Sequence, residues 1–565
     1  MSILVVDLAE GLFSTMDTPV ESGLELAIKL YKHFEGKALV ISSPTDKSVR
    51  YPGSTNSTIV YHSPITDRME FTYSNQSPGF SLYKLGYEAM VVTGRASRLS
   101  YISIYSGSNE IYLCEQLRGS CTSFPSIAGK GINDAFIYTS RAADNGVRFA
   151  SVIANQKPIS GAGIGFVFAS MNLKGIVFQG FFRKDDLAND KETMHFVHGI
   201  EASKFARRIR KNGANCFIDD AQRLGWLPVR NYTSRFDPRA YSLDGISFTA
   251  AYGNFPDSCQ ECFLACGRRR KDNTILPSWQ ECMALGTNLG FFDPRSVSRL
   301  VSAAISEGLD IVHLGAILAY VSSLDDSNLE VLSMSKKSVE EYESLIHSIA
   351  ESRGVGAIFR DGLKGFPDAI QSAHSQAILV DLRGSFSSAI TTSLCLDLIL
   401  PAGLVLPRKS LSPKCAAIIT YYELVYTLAL FSFGFGPLVT TCIFWDRIPK
   451  FMLSFPRLLR YVVGKFSAYG IKNEVLLSTG MRILEELDLS FEPIPEFFEM
   501  NGESAKDYRT VPLVRLQEYF YYEKSMAERR LKSKRDTRRR PKGKIKPIVG
   551  PDEDLGRDGE PGFSK

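Results

Sequence analysis

The feature that most limits the fold of this 565-residue chain is a change of hydrophobic period near residue 185. Up to about residue 180, short apolar runs recur: ILVVDL, ALVISS, STIVYHS, AMVVTG, LSYISIYSG, FIYTS, FASVIA and GIVFQG. Gly, Ser, Asn and Pro separate them, the punctuation of strands and turns. From about 190 the apolar residues fall three and four apart, as in 188–212, 296–324 and 337–352, which predicts amphipathic helices. The rest, to about 525, also reads as mostly helical. Strands first and helices after predict an α+β chain. No internal repeat is found along it.

A chain of this length can build two or three domains with proper cores and needs no disulfide or metal merely to fold. The net charge of +5 is uneven, because twelve Lys and Arg lie between Lys524 and Lys546. Without them the body is mildly acidic, which excludes a nucleic-acid surface on the folded part. The segment 524–565 is too poor in apolar residues to pack and is expected to be a disordered, charged tail. The opening MSILVVDLAEGLFS lacks a basic n-region and an adequate apolar run, so no secretory signal is expected. Residues 416–445 are largely apolar, but Glu423, several Tyr and Thr, and the break at 434–437 interrupt them. A buried helix followed by a loop is expected there, and no membrane span.

Ten cysteines stand at 114, 121, 216, 259, 262, 266, 282, 395, 415 and 442. Most are isolated, which excludes a disulfide framework and points to the reducing cytoplasm. Three are not isolated: Cys259-Gln-Glu-Cys262-Phe-Leu-Ala-Cys266. Three thiolates so spaced can face one 4Fe-4S cubane and leave its fourth iron to a remote cysteine. A zinc ribbon would offer two C-x2-C pairs, and only one exists here. The fourth ligand is expected at Cys442, at the end of the apolar segment, with Cys395 as the alternative. Both also suit the core, where free cysteine is common. The run Arg268-Arg269-Arg270-Lys271 places positive charge beside an anionic centre, or forms a solvated turn.

The chain resembles the tungsten-dependent aldehyde:ferredoxin oxidoreductase family from about residue 4 to about 525. The resemblance rests on segments in the family's order. They are Ser63-Pro64-Ile65-Thr66, Asn75 to Glu88, Val91 to Ala96, Asp144 to Ser151, Gly163 to Lys174, Pro228 to Tyr232, the cysteine triplet, and Ala284 to Gly290. It implies a two-sheet β domain (1–185) that holds a tungsten bis-pterin. Two mainly helical domains follow, 186–390 with Cys259, Cys262 and Cys266, and 391–523 with Cys442, the cysteine that best matches the family's fourth ligand. It also implies oxidation of an aldehyde or oxo group, with electrons leaving through the 4Fe-4S cluster to ferredoxin or another iron–sulfur protein. A homodimer is compatible with it.

Departures from the family concentrate at the cofactor. Arginines that face the pterin in the family fall on Asn56 and Gly161, and the family's first pterin-motif Asp falls on Ile305 ahead of Gly308-Leu309-Asp310. The family's Glu-Tyr-Glu reads Ser278-Trp279-Gln280, and its histidine has no counterpart within 393–401. Burying phosphate charge without such partners is costly. The remaining pterin contacts are expected at Asn75, Ser77, Ala162 and Gly163, with weak binding or none. Arg230 and Arg383 are the basic residues expected to be able to restore the charge. The competing function is therefore a non-catalytic electron-transfer or scaffold subunit that keeps the cluster and has lost the metallopterin.

Overall fold

The computed structural model describes residues 2–179, 191–324, 338–363, 413–487 and 521–532, with short interruptions such as 18–22, 46–50, 75–77 and 443–447. In the first half, strands β1 (Ser2–Asp7), β2 (Leu12–Met16), β3 (Leu39–Ser42), β4 (Thr58–His62), β5 (Met69–Tyr73) and β6 (Tyr87–Thr93) form one sheet. Strands β7 (Ser100–Tyr105), β8 (Ser108–Leu113), β9 (Ala135–Thr139), β10 (Val152–Ala154), β11 (Lys157–Ile159) and β12 (Leu173–Gln179) form another. The first is ordered β2-β1-β6-β3-β4-β5 and the second β8-β7-β12-β9-β10-β11. Shifting every number by six turns one order into the other. In both, only the second and third strands in this order pair parallel, β1 with β6 and β7 with β12. The chain thus repeats its topology where its sequence shows no repeat, because only the alternation of apolar residues has to be kept.

That alternation assigns each face. Leu4, Val6, Ile41, Ile59, Met90 and Val92 of the first sheet meet Ile102, Ile104, Ile137, Val152, Ile176 and Phe178 of the second in one closed core. The intervening Ile3, Val40, Val60 and Val91 face the other way and join the helical half. Tyr101, Tyr138, Ile153 and Val177 form a third cluster over Phe124.

Five helices accompany the sheets: α1 (Leu24–His33), α2 (Pro78–Lys84), α3 (Phe124–Ala128), α4 (Arg141–Asp144) and α5 (Ile164–Ser170). The helical half holds α6 (Lys191–Glu201), α7 (Lys204–Asn212), α8 (Cys216–Arg223), α9 (Gly245–Tyr252), α10 (Trp279–Leu285), α11 (Pro294–Glu307), α12 (Ile311–Ser323) and α13 (Val339–Glu351). It continues with α14 (Pro413–Ser432), α15 (Pro456–Val463) and α16 (Asn473–Glu486). Two expected helices are each split. Ser203 caps α7 directly after α6, and Gly308, in the left-handed region at φ 73°, ends α11. Residues 521–532 are also helical, with Ala527 buried and Glu523 accepting from Arg460 at 2.6 Å. The tail expected from 524 therefore begins with a packed helix, because Ala527 and Glu523 find partners that composition does not reveal. Residues 533–565 lie outside the described residues. Among the described residues no helix is long and apolar enough to cross a membrane.

Helix α1 joins the two halves. A Cβ on Gly23 would collide with the Ser432 carbonyl, and the Ser432 hydroxyl accepts from Leu24 N at 3.1 Å. Glu25, almost fully buried, pairs with Arg482 at 3.0 Å and Lys29 at 2.8 Å. Burial alone would raise its carboxyl, but those two cations hold it below the usual range. Helices α14 and α16 cross where a Cβ on Gly480 would strike the Val425 carbonyl. Gly480→Ala is expected to cost about 1–3 kcal/mol, the usual penalty for overpacking. A thermal melt checks this, and an unchanged midpoint would mean that the crossing is not tight.

Candidate metal centre

Strands β13 (Phe255–Asp257) and β14 (Gly267–Arg269) pair antiparallel, with Asp257 opposite Gly267, and close the neck of the loop that carries Cys259, Cys262 and Cys266. Inside the loop, Cys262 N donates to the Cys259 carbonyl at 2.6 Å. Outside it, Ala214 N donates to the Cys266 carbonyl at 2.8 Å. The strongest tie is Arg268. Its guanidinium donates to the Ala265 and Gly267 carbonyls at 2.5 and 2.7 Å, and to Ile209 O and Arg210 O at 3.1 and 2.6 Å. The last carbonyls of a helix lack partners and favour a cation. Arg268 thus staples the cysteine loop to the end of α7. It is a buried structural residue, and the basic run is not a solvated turn as a whole; Arg270 and Lys271 alone are exposed.

The three cysteines line one cavity of about 210 Å³. Its other walls come from three parts of the chain. Gly53, Asn56, Tyr73 and Lys157 belong to the β half, Ser278 to Glu281 to the start of α10, and Gly436, Leu438 and Val439 to the turn after α14. That turn is brought in by Asn56 N, which donates to the Gly434 carbonyl at 3.2 Å. A Cβ on Gly53, at φ 84°, would stand 3.2 Å from the Cys262 sulfur, so the β half approaches the thiol as closely as a glycine permits. Burial pushes all three thiols up, Cys259 to about 12, and neighbouring cysteines add to it at Cys259 and Cys262. Any metal must displace those protons. Among the described residues no group of three or more His, Cys, Asp or Glu is arranged to hold a metal ion.

Two charged residues of this site escape a reading of the sequence. Lys157, on the edge strand β11, reaches the cavity and pairs with Asp257 at 2.6 Å. Arg269 holds the same carboxylate. Burial alone would raise Asp257, yet its two cations keep it below the usual carboxylate range. Only the neighbourhood of Asp257 to the cysteines in sequence hinted at it; for Lys157 there was no signal. Glu281 supplies a carboxylate on the wall one residue beyond Gln280, and it accepts from Ser278 N.

The remaining expected residues separate. Cys442 is 1% exposed, three residues beyond Val439, and is not among the residues that line the cavity. Cys395, Arg383, Asn75 and Ser77 lie outside the described residues. Ala162 is buried and its carbonyl accepts from the Ser63 hydroxyl at 2.6 Å; Gly163 adopts φ 86°, and a Cβ there would also strike the Arg148 carbonyl. At Gly161 a Cβ would stand 2.7 Å from the Tyr61 hydroxyl, which leaves no room for an arginine. Arg230 lies 3.8 Å from Asp237, over the Phe292 ring. Asp310 caps α12, accepting from Val312 N and His313 N. Buried polar atoms without a hydrogen-bond partner among the described residues include Asn56 Oδ1, Ser151 Oγ, both amide atoms of Asn288 and both ring nitrogens of His313.

Residues 3–180 match the model of the aldehyde ferredoxin oxidoreductase N-terminal domain, and residues 192–393 that of its domains 2 and 3. The chain is 27% identical over 327 residues to a tungsten-containing aldehyde ferredoxin oxidoreductase of Pyrococcus abyssi, covering 54% of each chain. It is 23% identical over 397 residues to the WOR-like subunit of an aliphatic sulfonate oxidoreductase of Pyrococcus furiosus, covering 62% of each. The chain spans about half the length of the first of these and somewhat more of the second. Among solved structures it is similar to the active site complex BamBC of benzoyl coenzyme A reductase. There the TM-score is 0.64 at 16% identity, over 93% of this chain and 94% of that one, a likeness of fold.

Proposed function

The chain belongs to the aldehyde ferredoxin oxidoreductase family, and from that premise we propose that it is an oxidoreductase of aldehyde or oxo groups that carries a 4Fe-4S cluster. The observation that carries this reading is the convergence of three thiols on one cavity with walls from both halves of the chain. The cavity is smaller than the roughly 300–1,000 Å³ clefts that hold drug-sized ligands. It suits a compact inorganic group. The C-x2-C-x3-C spacing suits a cubane, in which each thiolate takes its own iron, and a zinc ribbon would need a second C-x2-C pair. Cys259, Cys262 and Cys266 would hold three corners and Cys442 the fourth.

The pterin contacts we assign to Asn75, Ser77, Ala162 and Gly163. Without arginines at 56 and 161 its phosphates are held weakly. When bound, the metallopterin supplies the two-electron oxidation of substrate and the cluster one-electron transfer. The chain's own part is to fix the cysteine loop through Arg268 and to shield it beneath Gly53 and α10. The acceptor we assign is ferredoxin or another iron–sulfur protein. The eight described cysteines are all free, which suits the reducing cytoplasm.

Purified without oxygen, the protein is expected to be brown, with about four irons per chain and with tungsten or molybdenum. Colourless protein holding zinc would overturn the cluster, and iron without tungsten or molybdenum would overturn the metallopterin. Cys442→Ala is expected to leave a three-iron or unstable cluster, seen by electron paramagnetic resonance, while Cys395→Ala keeps four irons. The opposite pattern would move the fourth ligand to Cys395.

A further inference from the structure

Lys157 and Asp257 form an ion pair in the wall of the cysteine cavity, with side chains 13% and 0% exposed. The two residues come from different halves of the chain, β11 and β13. Asp257 is shared, since Arg269 of β14 holds it too. Two cations therefore share this carboxylate, and Glu281 adds a second carboxylate to the same wall. Lys157 lines the cavity together with Cys259 and Cys266.

We propose that Lys157 is a positioning residue for the redox group of the cysteine cavity, and that its charge raises that group's midpoint potential. The inference rests on the cluster reading above. Taking up one electron adds one negative charge to a cluster. A fixed cation in a low-dielectric wall stabilises the more negative state, and net charge near a cluster is one of the properties that set its potential. Asp257 keeps the Lys157 ammonium turned to the cavity and partly offsets it.

The test is an anaerobic redox titration of the purified holoprotein with dithionite and mediators, followed by electron paramagnetic resonance. Lys157→Met is expected to keep its iron and to move the midpoint to a more negative value. Lys157→Arg is expected to restore it, because charge and not shape is what counts. Asp257→Asn is expected to move it the other way, and it decides the matter alone if Lys157→Met does not accumulate. Iron retained with an unmoved midpoint in both neutral variants overturns this proposal and leaves the cluster reading standing. Iron lost or the melting temperature lowered, with an unmoved midpoint for the cluster that remains, also overturns it, since that is a merely structural lysine. A parent protein that holds no iron overturns both.

Discussion

Cys262→Ala is expected to reduce bound iron from about four per chain to a small fraction and to abolish the brown colour. Cys262 is the thiol beneath Gly53, and it lies between Cys259 and Cys266 on the same cavity wall. A cubane that loses one of three closely spaced ligands keeps two in the loop, too few to retain it against chelators. Losing a residue that merely supports a ligand already costs about 10–100-fold in metal affinity, so losing the ligand costs more. Cys282→Ala is the control. That cysteine is fully buried on α10, and its sulfur accepts from the Asn215 amide at 3.5 Å, away from the loop. Iron analysis of both variants decides: equal loss, or none, would remove the triplet from its assigned role. The fold is expected to survive in Cys262→Ala, because Arg268 ties the loop to α7 through backbone carbonyls that the substitution does not touch.

Lys174→Met is expected to have the largest effect on stability. Lys174 on β12 is fully buried, and its ammonium lies 2.6 Å from Asp144, which is 2% exposed. The same carboxylate oxygen accepts from Gly119 N at 2.6 Å. Removing the lysine leaves a buried carboxylate with no cation, which typically costs about 3–5 kcal/mol. For a unit the size of the β half, about 2–4 °C per kcal/mol places the fall in melting temperature near 6–20 °C. The double variant Lys174→Met/Asp144→Leu is expected to regain a good part of this, since replacing a whole buried pair by apolar groups is often neutral. A double variant no more stable than the single one would mean that Asp144 acts chiefly through Gly119.

The two-half architecture was legible because period two and period three to four are properties of the chain itself. Leu4 and Val6 face one core and Ile3 another, as strict alternation requires. The repeated sheet topology was not legible, since hydrogen-bonded strand order depends on contacts far apart in sequence. The cysteine triplet could be read from its spacing. Lys157 could not, for it stands about a hundred positions earlier on a three-residue edge strand that composition cannot distinguish from a loop. Arg268 was misread in part for a similar reason. An arginine in a basic run looks solvated until the open end of a helix, about sixty residues earlier, is placed beside it. The helical start of the tail depends likewise on Arg460, a partner distant in sequence.

The clasp of α1 against Ser432 and Arg482 bears on how the protein is made. Its two partners at Glu25 and Arg482 are 457 residues apart. At the usual pace of synthesis, about 5–20 residues per second, roughly 20–90 s pass between the appearance of one and of the other. During that interval the β half has left the ribosome with the face of α1 that meets α14 and α16 still uncovered. Such an uncovered apolar face is a site of aggregation in nascent chains. A chaperone that holds the emerging half is therefore expected to raise soluble yield, most of all when translation is fast relative to the closing of the clasp.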